Sequence, residues 1–257
     1  MDHPTDDLFR GMFDRGVELR ADSADDGTTM FGHFAVFDIW TEIHSWFEGD
    51  FVERLASGAF KKTFRENRSQ MRVTFDHGYD LQLGDKPLGP IDELREEDEG
   101  AFYQVPLLDT DYNRDFVLPT LQGRLMNGEQ RGSDGLLGAS FRFRVIGDEW
   151  VREPKASDTN PDALPERTIK EVRLYEFGPV VYPAYPEATA KVRCLTDHYI
   201  ERRLARQGTS ARAAERLHDL TPAGRATGAE PAEPARSHSD FGADPRAVQA
   251  LAAALRR

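Results

Sequence analysis

Apolar and polar positions alternate with a period of two at several places along the chain, the pattern of half-buried strands. In Phe31–Phe37, residues Phe31, His33, Ala35 and Phe37 share one face, while Phe34 and Val36 share the other. Met71, Val73 and Phe75 alternate with polar neighbours and lead to His77 and Gly78. Ile91–Glu93 and Ala101–Leu108, separated by an acidic turn and Gly100, read as a hairpin. In Leu136–Val145, residues Phe141, Phe143 and Val145 alternate with Arg142 and Arg144, and Ser140 falls opposite the phenylalanines. Arg167–Glu176 puts Val172, Leu174 and Glu176 on one face and Glu171, Arg173 and Tyr175 on the other. Val17–Arg20 reads as a first strand or the lead-in to one.

Helical spacing is sparser. A short helix is predicted at Asp7–Phe13, and another in Phe51–Arg65, where Phe60 and Phe64 lie four apart and Ser57 or Gly58 supplies the cap. Tyr112–Met126 reads as a helix interrupted at Pro119 and ended by Asn127 and Gly128, and 188–207 as a further one. Gly147–Glu166 is polar and proline-bearing and is expected to leave the domain as an excursion. From 208 to 243 the composition turns to Ala, Arg, Gly, Pro and Glu, which cannot bury a core. Pro245–Arg257 has Val248, Leu251 and Leu255 at the spacing of a weak amphipathic helix. The chain therefore divides into a partly flexible lead-in at 1–29, a folded domain at 30–207 and a disordered tail at 208–257.

A formal charge of −12 and a pI near 5.1 argue against a nucleic-acid binder, which presents a basic face to phosphates. No apolar run reaches the length of a membrane span and the first residues lack the pattern of a signal peptide, so an intracellular setting is expected. The lone Cys194 excludes an internal disulfide, and the seven histidines are scattered without a paired-cysteine or His-Glu-x-x-His motif, so no metal or other cofactor is expected.

Three residues are candidates for chemistry, each beside a plainer reading. Ser140, close to Gly135 and Gly138, suits a nucleophile facing a groove or simply a small strand residue. His77, at a strand end beside a glycine, suits a general base or a turn histidine. Glu176, a carboxylate closing an apolar strand face, suits an orienter of an imidazole or an edge glutamate paired with arginine. The aromatic stretch with Trp40, Trp46 and Phe47 either packs beneath a long loop or forms a contact surface.

Taken in order, a Gly-x-Phe-Ala-x-Phe strand precedes Gly58-Ala59-Phe60, then a strand ending in Asp76-His77. After these come Gly138-Ala139-Ser140-Phe141-x-Phe143 and a Glu-Val-x-Leu-x-Glu strand that runs on to Pro183-Ala184-Tyr185-Pro186-Glu187-Ala188. This order resembles the prohead, or capsid-maturation, serine proteases of tailed bacteriophages, a family distantly similar to the herpesvirus assembly protease. The resemblance covers about 30–195. It implies a mainly β fold with flanking helices (α+β), in which a herpesvirus-protease-like β-barrel is surrounded by helices and followed by the tail. It also implies Ser140 as nucleophile, His77 as general base and Glu176 as third member, with Glu171 the runner-up. Arg142 stands where the family often has glycine, so that it either clogs the groove or assists the oxyanion.

The expected activity is cleavage of scaffold segments or of the N-terminal region of the major capsid protein, and of the chain itself. The expected partners are the major capsid protein, a scaffold protein or segment and, by analogy with the herpesvirus enzymes, a second copy in a homodimer. The expected place is the host cell cytoplasm, inside the assembling procapsid. The alternatives are a catalytically inactive scaffolding protein of the same fold and an unrelated β-barrel binding module.

Overall fold

The computed structural model describes residues 3, 5–12, 17–21, 28–132, 137–181 and 192–206. Met1–Ile200 form one compact unit and Glu201–Arg257 a second, of which only 201–206 are described. The expected tail at 208–257, the turn residue Gly135 and the Pro183–Ala188 stretch all lie outside the described residues.

The chain is mainly β with few helices. The strands are β1 (Leu8–Met12), β2 (Glu18–Ala21), β3 (Thr28–Val36), β4 (Thr41–Ser45), β5 (Gly49–Leu55), β6 (Arg72–Val73), β7 (Glu93–Glu96), β8 (Gly100–Pro106), β9 (Leu137–Val151), β10 (Glu166–Val181) and β11 (Val192–Cys194). Helix α1 (Lys61–Glu66) follows β5, α2 (Leu118–Leu121) follows β8, and α3 occupies 196–206. One sheet runs β11-β1-β9-β10-β5-β4, with β6 added parallel to β10; the other runs β2-β3-β8-β7. Among the described residues no helix is long and apolar enough to cross a membrane.

The period-two faces close on a common core. Phe34 on β3 is fully buried, and its ring lies 4.8 Å from that of Phe177 on β10 and 5.5 Å from those of Phe60 and Phe141. Burying a phenylalanine stabilises by about 1.5–3 kcal/mol, so these four rings from three strands and the turn before α1 join the two sheets. Phe47 packs against this core, whereas Trp46 is exposed and Trp40 lies under the Arg54 guanidinium.

Several local expectations are corrected. Leu8–Met12 is a strand, not part of a helix, because it is flanked by β9 and β11 and its backbone groups are used by both. The Met71–Phe75 pattern yields only a two-residue strand, since the chain turns off β10 after Val73. Tyr112–Met126 is helical only as far as Leu121: a wide helical turn at Asn113–Val117 runs without a break into α2, which contains Pro119. The segment 188–207 begins, where described, as strand β11 before α3. The polar excursion starts later than expected, because β9 continues to Val151 and pairs with β10 from Glu166 onward. No side chain caps α1; neither Ser57 nor Gly58 does so, and the cap position is Phe60.

Candidate active site

Ser140 lies in β9 with a neighbour on each side: Gly178 of β10 on one, Gly11 of β1 on the other. Gly178 has a packing reason. A Cβ there would stand 2.0 Å from the Thr74 carbonyl oxygen, so only glycine lets the segment after β6 cross over β10 at the level of Ser140. Beyond Thr74 the backbone enters a left-handed turn, with φ of 49° at Asp76, 51° at His77 and 73° at Gly78. Left-handed φ is costly for a non-glycine residue and persists where surrounding contacts hold it. One such contact is the Tyr199 hydroxyl of α3, which donates to Asp76 Oδ1 at 2.9 Å.

This turn brings His77 onto the serine. His77 Nε2 is 2.7 Å from Ser140 Oγ, and Glu176 Oε1 is 3.3 Å from His77 Nδ1. That second approach is off the line of a hydrogen bond: Nδ1 has no hydrogen-bond partner among the described residues, so the contact is one of charge and position. Thr74 Oγ1 donates to the other Glu176 oxygen at 3.4 Å.

Glu176 reaches this position for a reason that simple alternation misses. The β9–β10 register shifts between Leu174 and Glu176, so Leu174 stays in the core while Glu176 pairs with Arg142, on the side of Ser140. Without that irregularity Glu176 would point into the core with Val172. Glu171 lies elsewhere and accepts an ion pair from Lys62 on α1 at 2.8 Å. Arg142 is held by Asp7 and stands 3.8 Å from Glu176 Oε1. Burial disfavours its charge, but the hydrogen bond from its guanidinium to Asp7 and the Asp7 charge raise its pKa above the ordinary value. The structure thus brings Ser140, His77 and Glu176 together and leaves Glu171 apart.

Beneath the site lies a buried ion cluster that the sequence reading missed. The Arg10 guanidinium donates to both Glu48 oxygens at 2.8 and 2.7 Å, and to Glu53 at 2.8 and 3.2 Å. Arg167 reaches Glu53 at 3.4 Å and Asp148 at 2.8 Å. A sequence signal existed: Arg10 sits in the otherwise apolar run Leu8-Phe9-Arg10-Gly11-Met12, but helical and strand readings of five residues are hard to separate.

Burial raises the pKa of Glu48, yet the Arg10 charge outweighs it and holds the carboxyl below its ordinary 4.5. A depressed carboxyl contributes stability above its unfolded pKa and loses it as pH falls through the folded value. Around Glu48 stand Arg10 on β1, Glu53 on β5, Cys194 on β11 and Asp197 on α3. The unfolding temperature is therefore expected to hold on acidification to the ordinary carboxyl range and to fall below it. Thermal denaturation followed across acid pH checks this.

Among the described residues no group of three or more His, Cys, Asp or Glu side chains is disposed to hold a metal ion. An open cleft of about 640 Å³ runs beside α1 and β6, lined by Arg65, Arg72, Val73, Pro87 and Ile91 among others; Ser140, His77 and Glu176 do not line it.

The sequence matches the Caudovirus prohead serine protease family over residues 15–202. The chain belongs to that family. It is thus a serine protease of the phage prohead class, and the match begins after β1. Among solved structures, the protease is similar to the capsid assembly protease gp21 of bacteriophage T4. Identity is 10%, the TM-score is 0.39, and the match covers 69% of this chain and 98% of that one. No curated protein sequence matches it.

Proposed function

We propose that Ser140, His77 and Glu176 are the nucleophile, general base and orienting carboxylate of this protease. The observation that carries the reading is the 2.7 Å contact of His77 Nε2 with Ser140 Oγ, with a carboxylate beside the other ring nitrogen. In the reaction the Oγ proton passes to Nε2 as Oγ attacks the peptide carbonyl. The imidazolium, stabilised by Glu176, then returns that proton to the leaving amine. A water molecule, deprotonated by the same imidazole, then attacks the acyl carbon, and the proton passes from Nε2 to Oγ as the acyl group leaves Ser140 as a carboxylic acid.

By family, the substrates are scaffold segments, the N-terminal region of the major capsid protein and the chain itself, met inside the procapsid in the host cytoplasm. A homodimer is part of the same reading. The two sheets around the Phe34 core are taken as the walls of the family's barrel. Residues 30–207 are taken as the protease domain, to which 1–29 adds β1 and β2, and 208–257 as a tether into the procapsid.

Co-expression with the major capsid protein tests this: capsid-protein shortening, read by intact mass, is expected with the wild-type chain and not with His77→Ala. Shortening that persists in the variant overturns the assignment. Glu176→Gln is expected to lower kcat by roughly 10²- to 10⁴-fold, with KM and melting temperature little changed, because the carboxylate acts on the imidazole and not on substrate. Glu171→Gln in the same assay is expected to leave kcat unchanged; a reversed ranking transfers the role to Glu171.

A further inference from the structure

The imidazole of His77 is not fixed by a hydrogen bond at Nδ1. That nitrogen is buried without a hydrogen-bond partner among the described residues, and Glu176 stands beside it off the line of one. In the Ser-His-Asp arrangement the carboxylate accepts from Nδ1 and so sets the orientation of the ring. Here the ring has to be set by its backbone and by what packs on it.

That backbone needs outside support. Asp76 and His77 are successive non-glycine residues at left-handed φ, 49° and 51°. Aspartate tolerates this region through local hydrogen bonding, whereas histidine meets crowding at its Cβ. The Gly78 amide donates to the Phe75 carbonyl at 3.0 Å and the Tyr79 amide to the Asp76 carbonyl at 2.8 Å. These bonds join residues three apart, so they close the turn without anchoring it to another element. Tyr199 supplies an anchor from α3. Its hydroxyl donates to Asp76 Oδ1 at 2.9 Å across 123 positions of sequence. Its ring meets the imidazole edge to face, with centroids 4.7 Å apart and planes at 81°. Asp76 is 5% exposed and Tyr199 2%, and a buried carboxylate is costly unless it keeps its hydrogen bonds. Tyr199 packs with Phe9, Val180 and Leu195 in a small cluster apart from the core around Phe34, so a change at its hydroxyl is local.

Resting on the triad reading, we propose that Tyr199 is a positioning residue of the protease. Its hydroxyl holds Asp76, and through Asp76 the left-handed turn that sets His77 Nε2 against Ser140; its ring steadies the imidazole. It acts through His77 and not on the peptide.

Fluorophosphonate labelling of Ser140 in the full chain, read by intact mass against Ser140→Ala, reports the activated nucleophile without an assumed substrate. Tyr199→Phe keeps the ring and removes the hydroxyl. At a temperature where both proteins are folded it is expected to label roughly 10- to 100-fold more slowly than wild type, the cost of a catalytic group displaced by about 1 Å. Asp76→Ala is expected to lose as much, and the double variant no more than the slower single, because both remove one bond. Asp76→Asn keeps an acceptor oxygen and tolerates left-handed φ, so it is expected to label within about threefold of wild type. Thr63→Val serves as the control for stability: it removes a buried acceptor of the Leu174 amide and is expected to lower the melting temperature without slowing labelling. Three results overturn the positioning role while keeping the triad: Tyr199→Phe labelling at the wild-type rate, losses that multiply in the double variant, or Asp76→Asn as slow as Asp76→Ala. Equal slowing by Thr63→Val also overturns it, since the loss then follows stability alone. Ser140 unlabelled in wild type, or labelled as fast in His77→Ala, overturns the triad reading and this one with it.

Discussion

Ser140→Ala is expected to lower peptide-bond hydrolysis by roughly 10⁴- to 10⁶-fold while leaving the fold intact. The size follows from what is removed. Without Oγ there is no acyl intermediate, and only binding and general polarisation of the carbonyl remain. The fold should tolerate the change because alanine suits a strand and the lost Oγ bonds are one to the Arg10 carbonyl and one to His77. Both partners then lose a contact in a buried place, so a modest drop in melting temperature is expected alongside. Capsid-protein length after co-expression and melting temperature together check the result. A variant that keeps cleaving identifies another nucleophile, and one that fails to fold is recognised by its melting curve. Ser140→Cys then serves as the conservative second variant, since it keeps a nucleophile and a similar volume.

Arg10→Met is expected to destabilise the protein by about 3–5 kcal/mol, the cost of breaking a buried ion pair by removing one partner. Arg10 is 1% exposed, and Glu48 and Glu53 surround its guanidinium. Methionine fills much of the volume but leaves two carboxylates in the interior, of which Arg167 reaches only Glu53. The expected loss is a large part of the 5–15 kcal/mol that typically holds a domain folded. Denaturant unfolding of wild type and variant measures it. Adding Glu48→Gln to Arg10→Met is expected to recover part of the loss, because it removes one orphaned charge; a double-mutant cycle gives the coupling. A change below about 1 kcal/mol shows that the cluster holds little of the stability.

Much of the strand content could be read from alternation alone. Phe141, Phe143 and Val145 on β9 follow it, since a period of two directly reports which side of a pleat a side chain takes; the hairpin is present too, but its first strand is Glu93–Glu96 and not Ile91–Glu93, because Arg95 and Glu96 pair with β8. Two kinds of information were out of reach. Short segments such as Leu8–Met12 owe their conformation to neighbours far along the chain, here 139–143 and 192–194, and no local pattern carries that pairing. Irregularities in register were the other. Alternation assigned Glu176 to the face of Val172 and Leu174, yet it meets His77 only because β10 slips before it.

The amino-acid order alone offered the candidates: a serine in an alternating strand, a histidine before a glycine, and a carboxylate read as closing a strand that in fact runs on to Val181, in an order resembling the prohead proteases. Tertiary structure decided their meeting. The parallel seating of β6 on β10, the glycine at 178 that lets Thr74 pass, and the left-handed turn at His77 are all products of packing between distant segments. It also decided that β1 covers the serine. Sequence periodicity records which face of an element is buried, and only pairing between elements records what lies across from it.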